Sequence, residues 1–161
     1  EYDSLAPQQR LDVTKADALS FLIEREVLYQ EAVKQGLKAT KEEVSREYEY
    51  SLITNNLTEA ELKGQLAARN SSVERFMLAL KKQLLISRLL DKKVPKQFVI
   101  KSEEVGEFYN SSSFASRGIG FEQAEKAIVE LLTAQKQQAA REKYIALLKD
   151  RADVVIVAVP G

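Results

Sequence analysis

The hydrophobic and polar positions of the chain follow a helical period along most of its length. In four successive N-terminal stretches, apolar residues recur three and four positions apart, which places them on one face of a helix. The pattern predicts helices over about 15–35, 41–54, 59–69 and 72–93. Pro95 prevents the fourth and most apolar helix from continuing. We expect this fourth helix to form the centre of the core.

The predicted helix starts share a capping signature. In each, a hydroxyl residue stands three positions before an acidic one: Thr14 and Asp17, Thr40 and Glu43, Thr58 and Glu61, Ser71 and Glu74. The hydroxyl accepts a hydrogen bond from a free N–H of the first turn, and the carboxylate reaches back to the cap residue. This repetition predicts where the four helices begin.

Two further local signals mark helix termini. Gly36 can take a positive φ, and Leu37 can pack back against the helix that precedes it. Ser102 is the predicted cap of a short helix with Glu103 and Glu104 in its first turn. The first helix is apolar over a wide arc, so we expect it to be covered on more than one side.

A long helix is predicted from 121 to about 150, and a strand follows it. The middle of this helix, 133–143, reads TAQKQQAAREK and has no apolar face. We expect contacts at the two ends of the helix and solvent or a groove between them. The run VVIVAV at 154–159 is mostly β-branched and predicts a β-strand.

The predicted strand needs a partner, because an unpaired apolar strand invites aggregation. The candidates are 97–101, residues before position 1, or the same segment of a second chain. Exchange of this segment between two copies would form a homodimer. We therefore predict a mainly all-α fold, closed by a long C-terminal helix, with one short C-terminal strand.

Composition excludes several classes of function. The chain has 161 residues, enough for one domain with a core, and its formal net charge is zero. A neutral chain lacks the basic surface of a general nucleic-acid binder. No apolar run approaches the roughly 20 residues that a membrane-spanning helix needs, and the first ten residues lack the order of a signal peptide.

The chain contains no His and no Cys. Thiol catalysis, disulfides, Cys/His zinc sites and imidazole acid–base chemistry are therefore excluded. No acidic cluster has metal-ligand spacing, and no Gly-rich loop could hold a nucleotide phosphate. We assign no catalytic residue, no metal and no cofactor.

Several segments resemble the SurA/PrsA family of extracytoplasmic folding factors. ALSFLIEREVLYQEAVKQGLKATKEEVSREYE at 18–49 is similar to the first two helices of that family. The segment 57–94 is similar to its short third helix and long central helix. VIKSEEVGEFYNSSSF at 99–114 resembles the segment that leads into an inserted parvulin isomerase domain, and 121–156 resembles the closing helix and strand.

The resemblance implies one chaperone domain without the isomerase insertion. An N-terminal helical lobe, 14–110, would be joined by a short linker, 110–120, to the C-terminal helix and strand, 121–159. The parvulin domain would occupy the place of the linker. The family's usual N-terminal strand, the expected partner of 154–159, is missing.

The resemblance also implies a function, an ATP-independent holdase in the periplasm or another extracytoplasmic compartment. It would bind unfolded or partly folded exported proteins and would not isomerise prolyl bonds. Two alternatives are a helical adaptor with one defined partner, and the core of a prolyl isomerase whose catalytic domain is missing from this chain.

Aromatic residues and methionine suit a groove for unfolded chains, since they give sequence-tolerant apolar contact. The candidates for peptide binding are Phe108, Tyr109, Phe114, Met77, Tyr48 and Tyr50. Aromatics at helical spacing are more often core, and we favour that interpretation for Tyr48, Phe76 and Phe121. For Phe108, Tyr109 and Phe114 both interpretations stay open.

Overall fold

The structure, a computed structural model, describes residues 15–152. Within this range the chain forms seven helices and no strand. The helices are α1 (Lys15–Lys34), α2 (Lys41–Thr54), α3 (Glu59–Ala68), α4 (Val73–Lys93), α5 (Ser102–Ser111), α6 (Ser113–Ser116) and α7 (Phe121–Arg151). The predicted all-α architecture with a long last helix is confirmed.

The predicted strand at 154–159 lies outside the described residues, as does the predicted cap Thr14. Segment 97–101, one of the predicted strand partners, has no regular secondary structure. The described residues therefore give no support to a strand in this fold.

Two capping boxes form as the sequence predicts. The N–H of Thr40 donates to the Glu43 carboxylate at 2.8 Å, and the N–H of Glu43 donates to Oγ1 of Thr40 at 3.2 Å. Thr58 and Glu61 make the same pair of bonds at 2.7 and 3.3 Å. The predicted stop after α1 is also confirmed. Gly36 has φ +72°, and the N–H of Leu37 donates to the carbonyl of Ala32 at 3.0 Å.

Two predicted caps are wrong by one residue. The cap of α4 is Ser72, whose Oγ accepts from the N–H of Arg75 at 3.3 Å. Ser71 instead belongs to the turn that follows α3, because its own N–H donates to the carbonyl of Leu66 at 2.9 Å. Ser102 is the first residue of α5 rather than its cap. The Glu104 carboxylate accepts from the N–H of Lys101 at 2.9 Å and so closes the first turn.

The chain divides into two compact units. Among the described residues, the first unit contains 15–89 together with 148–152, and the second contains Leu90–Leu147. The core of the first unit combines three buried residues each from α1 and α4 with one each from α2 and α3: Val27, Leu28, Ala32, Leu85, Ile86, Leu89, Val44 and Leu62. The core of the second unit is a small cluster of Val105, Ala124 and Ile128.

The first helix is less covered than its sequence predicts. Val27, Leu28 and Ala32 are buried, but Leu19 and Leu22 in the preceding turns are 38% and 62% exposed. α1 contacts α4, whose Lys82 pairs with Glu26 at 3.0 Å, and the end of α7, whose Lys149 donates to the hydroxyl of Ser20 at 3.3 Å. These contacts leave Leu19 and Leu22 exposed, so the expected burial on several sides is wrong for this half of the helix.

The polar middle of α7 is not free of contacts, contrary to the prediction. Within the second unit, Nζ of Lys136 lies 2.7 Å from the Glu104 carboxylate and also donates to the carbonyl of Val99. Nε2 of Gln137 donates to the carbonyl of Lys96 at 2.8 Å. A stretch with no apolar face can still pack, because its side chains satisfy the backbone carbonyls of an irregular segment.

Candidate functional site

An open apolar groove lies in the first unit, between the start of α2 and the middle of α4. It has a volume of about 380 Å³, within the range of about 300 to 1,000 Å³ that ligand pockets usually have. Val44 of α2 and Met77 and Leu78 of α4 form its apolar wall, together with Ala39. Leu78 is 52% exposed, so a large apolar side chain stands in contact with solvent at this point.

Two lysines flank the groove. Lys41 stands at the first position of α2, and Lys81 stands one turn beyond Met77 on α4. None of the side chains that line the groove is acidic. The neighbouring Lys82 is engaged elsewhere, since it pairs with Glu26 and lies 4.5 Å from the ring centre of Tyr29. The groove therefore combines apolar walls with a positive rim.

A second groove, of about 420 Å³, lies against the opposite side of α2. Its lining is mostly charged and includes Tyr50, which is 65% exposed. Arg88 donates to the carboxylate of Glu43 and to the carbonyl of Lys38. These bonds join the start of α2 to α4 and so hold the wall of the apolar groove in place.

The same contacts set the protonation of Glu43. The hydrogen bond from Arg88, followed by the bond from the Thr40 backbone, lowers the pKa of its carboxyl group. Both interactions favour the charged form. Glu43 consequently remains anionic and keeps Arg88 occupied, which makes Arg88 a structural cation rather than a free one.

Tyr48 lies inside the first unit. Its ring meets the ring of Phe76 edge to face at 6.2 Å. Its buried hydroxyl has no hydrogen-bond partner among the described residues, and burial raises the pKa of the phenol. This position favours the core interpretation of Tyr48 and Phe76 over a role in peptide binding.

Phe108, Tyr109 and Phe114 are half-buried against the cluster of the second unit. The Tyr109 hydroxyl donates to the carbonyl of Ile119 at 2.8 Å, and its ring meets that of Phe121 edge to face at 5.4 Å. Phe121, which we expected in the core, is 40% exposed. These contacts close the turn between α5 and α7. A role for the three aromatics in peptide binding stays a prediction.

The six predicted binding residues thus lie in different environments. Met77 lines the apolar groove, Tyr50 lines the charged one, and Tyr48 packs between helices. The sequence reasoning missed Leu78 and the two rim lysines. Helical spacing gave no signal for Leu78, because it lies on the same face of α4 as the buried Leu85 and Leu89.

The described helices contain no other chemistry that points to a site. None of them is long and apolar enough to span a membrane. Residues 15–152 hold no group of three or more carboxylates arranged to bind a metal ion. The apolar groove is therefore the strongest candidate for a binding site in the described part of the chain.

Comparison with known proteins found relatives of one kind. No protein-family model matches the chain. The protein "Chaperone SurA" of Ralstonia nicotianae is 26% identical over 155 residues, a match that covers 91% of this chain and 31% of that protein. The protein of the same name from Chromobacterium violaceum is 31% identical over 117 residues, covering 73% of this chain and 27% of that protein.

The chain thus spans about a third of the length of the curated relatives it matches. It is similar to SurA chaperones over most of its own length. The resemblance predicted from the sequence is confirmed.

Proposed function

We propose that this chain is the client-binding core of an ATP-independent chaperone. It binds unfolded or partly folded exported proteins in the periplasm or another extracytoplasmic compartment and keeps them from aggregating. It has no prolyl isomerase activity of its own. The observation that carries the proposal is the open groove of Val44, Met77 and Leu78. The similarity to SurA chaperones supports the same function.

The groove suits a holdase for two physical reasons. Exposed apolar surface on a folded protein marks an interaction site when it is contiguous. Methionine is flexible and polarisable, so Met77 can adapt to different side chains. Binding of this kind needs no catalytic group and no nucleotide, in keeping with a chain that has neither His nor Cys.

The test is suppression of aggregation. The protein should slow the light scattering of an unfolded β-rich client at near-stoichiometric ratios, without accelerating a proline-limited refolding step. Leu78→Glu should weaken the protection, because it places a charge in the apolar wall. Leu131→Glu is the matched control, since Leu131 is 45% exposed on α7 and lies outside the groove. Equal protection by both variants would remove the groove from the proposal.

Breadth of binding separates a chaperone from an adaptor. A chaperone should bind many unrelated aromatic-rich peptides at about micromolar strength, roughly −8 kcal/mol. An adaptor should prefer a single peptide by about tenfold or more. The chain has no Trp, so the fluorescence of Trp-containing peptides reports binding directly. One strong hit in a diverse peptide set would favour the adaptor.

The predicted homodimer remains part of this proposal without support from the described residues. It depends on exchange of segment 154–159 between two copies. Light scattering across a dilution series would show it as a mass that doubles with concentration. A constant mass of 18.1 kDa would exclude it.

A further inference from the structure

The charge at the rim of the apolar groove affects which client segments the groove can bind. Lys41 and Lys81 flank the apolar wall from two different helices. Both side chains are exposed, and neither has an ion-pair partner among the described residues. This distinguishes them from Lys82, Arg88 and Lys136, which each hold a carboxylate.

The neighbouring acidic residue forms no ion pair with this rim. Glu42 follows Lys41 on α2, but no ion pair among the described residues joins it to Lys41 or Lys81. Glu43 is bound by Arg88 and by the backbone of Thr40. Glu43 is therefore engaged at the helix start, while the two lysines remain available to a ligand.

We propose that the groove selects client segments in which a large apolar side chain stands within one or two residues of Asp or Glu. The apolar side chain packs on Val44, Met77 and Leu78, and the carboxylate is held by Lys41 and Lys81. This inference rests on the proposed chaperone function and narrows its client class to acidic–apolar segments. Charge complementarity selects this occupant over a neutral or basic one.

The expected effect is modest because the lysines are exposed. A solvent-exposed ion pair changes affinity by roughly two- to fivefold. Such pairs are also screened by salt, since the Debye length falls to about 3 Å at 1 M ionic strength. Selectivity for acidic segments should therefore be clear at low salt and disappear at high salt, while the apolar contribution persists.

The test uses three peptides with a central Trp. They differ only in the residues that flank this Trp, which are Asp, Ser or Lys. Binding is followed by Trp fluorescence at low and at 1 M salt. We expect affinity in the order Asp, Ser, Lys at low salt, with a total range of about five- to twentyfold, and no order at 1 M salt. The double variant Lys41→Glu, Lys81→Glu should reverse the order at low salt. Lys126→Glu, an exposed control on α7, should preserve it.

The outcomes separate this inference from the proposed function. If no peptide binds, the chaperone proposal itself fails. If all three bind equally at low salt, the chaperone proposal stands and the selectivity is wrong. If the double variant keeps the wild-type order, the carboxylate is held elsewhere and the assignment to this groove is wrong. Self-association that Lys81→Glu abolishes would make a second copy the occupant and would also overturn it.

Discussion

Leu78 and Leu89 lie on the same helix and have opposite environments. Leu89 is fully buried in the first unit, whereas Leu78 is 52% exposed at the apolar groove. Leu78 stands seven residues before Leu85 and eleven before Leu89, so helical geometry places all three on one face of α4. The difference therefore arises along the helix, because the elements that cover this face at Leu85 and Leu89 leave it open at Leu78. At the scale of the residue, the extent of packing along α4 determines which leucine is core and which faces the groove.

Truncation of these two leucines should therefore have different consequences. Leu89→Ala should lower the free energy of unfolding by about 2–5 kcal/mol, because it leaves a cavity in a packed core. Leu78→Ala should cost less than about 1 kcal/mol and should weaken peptide binding instead. Urea unfolding followed by circular dichroism measures the first effect, and Trp-peptide fluorescence measures the second. Similar losses of stability for both variants would contradict the assignment.

The segment between α5 and α7 shows how an element boundary is held. Residues 110–120 contain the end of α5, the single turn of α6, and Gly118 with φ +73°. The N–H of Ile119 donates to the carbonyl of Phe114 at 3.1 Å, and the carbonyl of Ile119 accepts from the Tyr109 hydroxyl at 2.8 Å. The break in the helical pattern is therefore a hydrogen-bonded turn that packs within the second unit.

Removal of the Tyr109 hydroxyl tests how much its hydrogen bond contributes to this turn. Tyr109→Phe keeps the ring against Phe121 but leaves the carbonyl of Ile119 without its donor, so it should cost about 0.5–1.5 kcal/mol of stability. Tyr50→Phe is the control, because Tyr50 is 65% exposed and should tolerate the change. Thermal unfolding of the two variants provides the comparison. Equal midpoints would mean that the hydrogen bond contributes nothing to the turn.

At the scale of the molecule, six carboxylates of the described residues share one property. Each has a pKa lowered chiefly by hydrogen bonds to its charged form: Glu26, Glu42, Glu43, Glu61, Glu74 and Glu104. For Glu26 the main cause is its hydrogen bond with Lys82, and for Glu104 it is the backbone bond with Lys101. The described core contains no buried charge. A fall in pH therefore changes the stability of the fold mainly by protonating these surface carboxylates.

Stability should therefore fall on acidification. A carboxyl group whose pKa is lowered in the folded state stabilises the fold above its unfolded pKa of about 4.3, and this stabilisation is lost as the pH falls through the folded pKa. Unfolding midpoints should be flat near neutral pH and decline below about pH 4.5. Glu43→Gln should make the decline shallower, and Glu130→Gln on α7 should leave it unchanged. An unchanged midpoint down to pH 3 would contradict this account.

Features that depend only on neighbours along the chain could be predicted without the structure. The spans of the long helices follow from apolar periodicity, and the boxes at Thr40 and Thr58 need contacts only three residues apart. The same locality explains the errors. Only Ser71 stands three positions before an acid, Glu74, but its N–H bonds to Leu66 of α3, and Ser72 caps α4 instead.

How the helices pack determines which apolar residues meet a partner and which face a groove, and no local pattern contains that information. Met77 was predicted as a candidate from its chemistry, but Leu78, Lys41 and Lys81 join it only because Arg88 holds the start of α2 against α4. Likewise, the contact between Lys136 and Glu104 joins residues far apart in the sequence. Periodicity determines which face of a helix can be buried. The packing of other helices determines how much of that face remains open to a ligand.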